Sequence, residues 1–105
     1  MLGFAALFEA ETKTSGHYPP WEFKENSQLR TLYEEVYFEE LGEKVKVEAI
    51  HAGLECGIFA SQMPELDCIA IGPQMYDVHT DGEKLSISST ETVFGLLCKL
   101  LAKCR

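Results

Sequence analysis

Basic residues are scarce. The chain carries 9 Lys and Arg against 17 Asp and Glu, a formal charge of −8. Affinity for nucleic acid comes from neutralising phosphates with Lys and Arg, so this balance excludes a nucleic acid as the expected partner. A cationic substrate, or a metal ion held by acidic groups, suits the field better. Long apolar runs are missing too. None approaches the ~18–20 residues that cross a bilayer, and no membrane partner is expected. The opening Met1–Phe8 stretch lacks a basic flank and meets Glu9 and Glu11 where a cleavage site would stand, so no export is expected. There is no CxxC: Cys56, Cys68, Cys98 and Cys104 lie 12, 30 and 6 positions apart, matching no zinc or redox spacing. Three of the four sit in apolar surroundings, where free cysteine behaves as a small hydrophobe. A reduced, cytoplasmic protein is the expectation. Repeats and low-complexity tracts are absent.

What is present suffices for one domain. The 105 residues are 46% hydrophobic and 10% aromatic, which argues against disorder and allows one modest core. The polar stretch from Thr12 to Pro20 holds Gly16, Pro19 and Pro20 and cannot be helix interior. It separates an apolar segment, residues 2–11, from the rest. That segment suits a strand but has no partner nearby in sequence, and a lone strand is not stable in water. It reads as the end of something longer.

Helix and strand then alternate. Leu29, Leu32, Tyr33, Val36, Tyr37 and Leu41 recur at threes and fours, with Asn26 or Ser27 to cap and Gly42 to stop the helix. Glu34-Glu35 and Glu39-Glu40 fall on its solvated outer face. Val45, Val47 and Ala49 alternate with polar residues as a half-buried strand does. A short helix through Ile58 and Phe59 follows, and Leu66–Ile71 is the apolar run of a strand covered on both faces. Leu85-Ser86-Ile87 alternates briefly. Ser88 and Glu91 form a capping box for a last helix with Val93, Leu96, Leu97, Leu100 and Leu101 on its apolar face. Such alternation predicts an α/β fold, a layered α/β/α sheet.

Two loops could carry chemistry. Asp77-Val78-His79-Thr80 lies beyond a predicted strand, where ligands gather in α/β sheets. An imidazole with a carboxylate two residues away suits a metal ligand whose tautomer is fixed by that acid. A solvated loop histidine is the plain alternative. His51-Ala52-Gly53-Leu54-Glu55-Cys56-Gly57 follows another strand, and its two glycines let backbone amides approach a ligand. A tight strand-to-helix turn with a Glu–His pair explains it equally well. Cys56 beside His51 lacks the oxyanion site a nucleophile needs and is a structural thiol. His17 is an ordinary loop histidine.

The block Glu48–Gly57 with its HAGLECG core, Leu66-Asp67 leading to Ile71-Gly72-Pro73, Asp77-Val78-His79-Thr80 and Leu85-Ser86-Ile87 resemble the aminoacyl-histidine dipeptidases, also called Xaa-His dipeptidase, peptidase D or cytosol non-specific dipeptidase. Thr14-Ser15-Gly16, Tyr18-Pro19 and Trp21 resemble that family's passage from lid to catalytic domain. The resemblance implies a metallodipeptidase with two metal ions, usually zinc, cleaving dipeptides that include Xaa-His with a metal-activated water and a Glu base. On it, residues 1–22 are the end of the lid and the connecting loop, and residues 23–105 the C-terminal part of the catalytic domain. His79 matches the last metal ligand, Asp77 stands behind it, and His51, Gly53 and Glu55 fall on the substrate side.

The chain also departs from the family. Asp81 replaces the proline that usually follows the His-Ser or His-Thr pair, and the other metal ligands and the Glu base have no counterpart here. One imidazole cannot hold a catalytic zinc, which takes about three protein ligands. The implied object is a C-terminal fragment, inactive alone. The alternative is a non-catalytic truncated α/β binding or assembly module, self-associating through the N-terminal strand or exposed faces.

Overall fold

The computed structural model describes residues 7, 8, 10–50 and 53–104. Its elements run α1 (Gln28–Leu41), α2 (Glu55–Gln62), β1 (Met75–Tyr76), β2 (Lys84–Leu85) and α3 (Ile87–Lys103). Most of the apolar segment 2–11, expected as a strand, lies outside the described residues.

Helix α1 starts and stops on its own punctuation. The Ser27 hydroxyl accepts the Arg30 amide at 3.0 Å, and Gly42 closes the helix in the left-handed conformation, φ 71°, which glycine enters without the Cβ penalty. Arg30 pins the incoming chain: it stacks 4.6 Å over the Phe23 ring and donates to the carbonyls of Lys24 and Glu25. A second cap comes from far away. Asp67, 38 residues on, accepts the Leu29 amide at 2.9 Å, placing a carboxylate at the positive end of the helix.

Burial raises the Asp67 pKa, but the Leu29 amide, the Ser27 hydroxyl, the Lys24 charge and the Gln28 amide outweigh it and leave the group below its ordinary value. The unfolded chain therefore takes up this proton more readily than the folded one. The carboxylate's stabilisation is complete above about pH 4, the ordinary aspartate value, and is lost as pH falls through the lower folded value. Asp67→Asn keeps an oxygen that accepts the Leu29 amide but removes the charge at the positive helix end, so it is expected to cost about 0.3–1 kcal/mol at pH 7 and to flatten the acid limb of stability. Urea denaturation between pH 2 and 7 checks this, and parallel pH curves for the two proteins would refute it.

Helix α3 begins two residues before the expected capping box. Ser86, not Ser88, is the cap, accepting the Ser89 amide at 3.3 Å. Gln74 explains the shift: its carbonyl accepts the Ser86 amide at 3.0 Å, and its own amide donates to the Ser89 hydroxyl at 2.9 Å. The turn is fixed against the end of β1, so Ile87 enters the helix instead of continuing a strand.

The core is the seam between α1 and α3. Tyr33, Val36, Leu96 and Leu100 are buried in it, with Leu29, Leu32, Tyr37, Val45 and Ile69 packed around them. Lys103 donates to both Glu39 oxygens at 2.8 and 2.7 Å, and Lys99 pairs with Glu40. Glu39 and Glu40 are thus not merely a solvated face: they tie the C-terminal end of α1 to that of α3. Exposed pairs of this kind contribute under about 1 kcal/mol each.

The fold is mixed: helices with a small two-stranded sheet, compatible with a piece of an α/β architecture. Met75 pairs with Leu85 and Tyr76 with Lys84, antiparallel. Val45–Ala49 and Leu66–Ile71, both expected as strands, join no ladder among the described residues. A strand's amides and carbonyls are satisfied by neighbouring strands, and these two segments find none. Val45 and Ile69 still press on the helix seam, as strands beneath a pair of helices do. The result is extended in shape. The radius of gyration is 18.7 Å, against about 13 Å for a compact chain of this size. The accessible surface is 9139 Å², where the usual scaling gives about 5900 Å² for this mass.

Candidate functional site

The β1–β2 pair makes a hairpin whose loop, residues 77–83, carries His79 on the exposed surface. Two non-glycine residues in it are left-handed, Asp77 with φ 51° and His79 with φ 68°. Such conformations are uncommon outside glycine, although Asp and His are enriched among them, and they gather at functional sites. Thr80 closes one turn, its amide and hydroxyl donating to the Asp77 carbonyl at 3.2 and 2.7 Å. The Glu83 amide donates to the Thr80 carbonyl at 3.3 Å, and the Gly82 amide to the Thr80 hydroxyl at 3.2 Å. The His79 amide donates to Glu83 Oε2 at 2.9 Å. Asp77 faces Gly82, whose Cβ position lies 3.8 Å from Asp77 Oδ2, and among the described residues it makes no hydrogen bond to the His79 ring.

The second loop is covered by the segment Tyr18–Trp21. A Cβ on Gly53 would lie 3.2 Å from the Tyr18 ring, and one on Gly57 would lie 2.8 Å from the Pro19 carbonyl oxygen. Only glycine at 57 lets Pro19–Trp21 lie this close to α2. Glu55 opens α2 and is exposed, and its preceding residue Leu54 provides no side-chain cap. His51 lies outside the described residues. Among the described residues, no hydrogen bond or ion pair joins the His79 hairpin to Gly53 or Glu55. The structure thus brings Tyr18 to Gly53 and Glu83 to His79, two partners that the sequence reading did not single out. Glu83 was findable only as the acid closing a polar turn. Tyr18 offered no local signal, being 35 residues from Gly53.

All four cysteines are free, Cys56 and Cys68 half-buried, Cys98 and Cys104 exposed. Burial pushes the Cys68 thiol up, and the neighbouring Cys56 adds to it. Since the thiolate is the reactive form, Cys98 and Cys104 are expected to alkylate first and Cys68 last. Timed iodoacetamide labelling with peptide mass mapping checks this order. Equal rates at Cys68 and Cys104 would refute it. In denaturant without reductant, all four should titrate as thiols.

Among the described residues, no group of three or more His, Cys, Asp or Glu side chains is placed to hold a metal ion. A catalytic zinc takes about three protein ligands, so the described residues do not by themselves make up such a site. Among the described residues, no helix is long and apolar enough to cross a membrane.

Helices with a small two-stranded hairpin, compatible with a piece of an α/β architecture, are the class of object that the geometry defines. No family model matches the chain. It is 37% identical over 95 residues to the cytosol non-specific dipeptidase of Escherichia coli (strain K12), a match covering 90% of this chain and 20% of that protein. By sequence the chain matches a C-terminal fragment of a dipeptidase. It spans about a fifth of the length of that curated relative.

Proposed function

We propose that the chain forms the C-terminal part of the catalytic domain of a cytoplasmic metal-dependent dipeptidase that hydrolyses Xaa-His and related dipeptides, and that it is inactive alone. The sequence match to a dipeptidase across nine tenths of the chain carries this reading. Residues 1–22 then end the lid and connect it, and residues 23–105 belong to a layered α/β/α catalytic domain. His79 is one ligand of a zinc site whose other ligands lie in segments outside this sequence. Asp77 stands behind it, and His51, Gly53 and Glu55 face the dipeptide. The large accessible surface and the strand segments without neighbours support a body completed by further chain.

The exposed side of α3 favours a second reading. Ile87, Phe94 and Leu101 recur at seven-residue spacing and are 85%, 67% and 61% exposed, as in an assembly module that buries this stripe against a partner. One graft separates the two. Substituted for the matching segment of the Escherichia coli dipeptidase, the chain is expected to give a protein that hydrolyses dipeptides with C-terminal histidine. The 105-residue chain by itself should show no turnover. A folded graft without hydrolysis would overturn the dipeptidase reading in favour of the assembly module.

A further inference from the structure

We propose that Glu83 is a positioning residue that locks the backbone of His79 in the left-handed conformation in which the hairpin presents it. A histidine at φ 68° is held against its own preference. The turn that Thr80 closes on the Asp77 carbonyl spans Val78 and His79, but it leaves the His79 amide without a partner of its own, since its bonds are made by Thr80 groups. The Glu83 carboxylate is that partner, accepting the His79 amide at 2.9 Å. That bond is charge-assisted, stronger than one between neutral groups. Its base is anchored as well, since Glu83 directly precedes Lys84, which pairs with Tyr76 in the ladder. The carboxylate therefore reaches back four residues from a fixed strand end to the residue that must be aimed.

The functional consequence rests on His79 being a metal ligand as proposed above; the lock itself does not. In the 105-residue chain, Glu83→Ala is expected to speed exchange of the His79 amide about tenfold and to move its backbone shifts out of the left-handed range. Glu83→Gln, whose amide oxygen still accepts, should stay within about twofold of the native rate. Equal exchange in all three proteins would overturn the proposal. In the dipeptidase graft, Glu83→Ala should weaken zinc retention about tenfold, the lower end of what loss of a ligand-supporting group costs, and Glu83→Gln should restore it. His79→Ala in the same graft judges the ligand assignment by itself. Faster exchange with Glu83→Ala, beside zinc retention untouched by His79→Ala, would uphold the lock and overturn the ligand assignment.

Discussion

Replacing Leu100 by alanine is expected to abolish the cooperative thermal transition of the 105-residue chain. Four large apolar side chains are buried among the described residues, Tyr33, Val36, Leu96 and Leu100, and all lie in one seam. Truncating a buried leucine to alanine costs about 2–5 kcal/mol, through lost transfer energy and the cavity left behind. Whole domains are stable by about 5–15 kcal/mol, and a seam this thin supports less than a full core. The ion pairs of Glu39 and Glu40 cannot compensate, since each contributes under about 1 kcal/mol. Circular dichroism at 222 nm against temperature measures the effect. A midpoint within about two degrees of the native chain would show that the seam is not what holds α1 and α3.

Turnover by the dipeptidase graft is expected to fall at least a hundredfold when His79 becomes alanine. Removing a group that merely supports a metal ligand already costs about 10–100-fold in affinity or activity. Removing a ligand from a set of about three goes further, because the remaining donors cannot complete the site. Zinc content measured beside turnover distinguishes loss of the metal from loss of fold. An unchanged rate would mean that the imidazole is an ordinary solvated side chain. Asp77→Ala should cost less than His79→Ala, since Asp77 faces Gly82 in the hairpin and does not bond to the His79 ring.

The parts legible in the sequence are those with local signals. Ser27, Gly42 and the apolar spacing between them define α1 within a residue, because a cap and a left-handed stop act over a single turn. The body of α3 was equally readable. Its first turn was not, since Gln74 decides it from 15 residues away in sequence. The alternation at Val45–Ala49 and the apolar run at Leu66–Ile71 promise strands, yet a pattern states only which face is buried and does not supply the neighbour that completes a ladder. Asp67 stood within that apolar run as its one charged group, and a buried polar residue is the informative exception in such a run. Its role as a cap on α1 depended on a contact across 38 residues. His79 was singled out by its motif, but neither its left-handed backbone nor its tie to Glu83 follows from residue type.

The seam also fixes an order of events during synthesis. Val36 and its neighbours in α1 meet Leu100 across 64 positions, the separation that also divides Glu39 from Lys103. A ribosome adding about 5–20 residues each second takes roughly 3–13 s to bridge that interval. Over that time α1 has its caps at Ser27 and Gly42 but no apolar partner, and a single helix of 14 residues is marginal in water. The nascent chain therefore waits, with Tyr33 and Val36 uncovered, until α3 has been made.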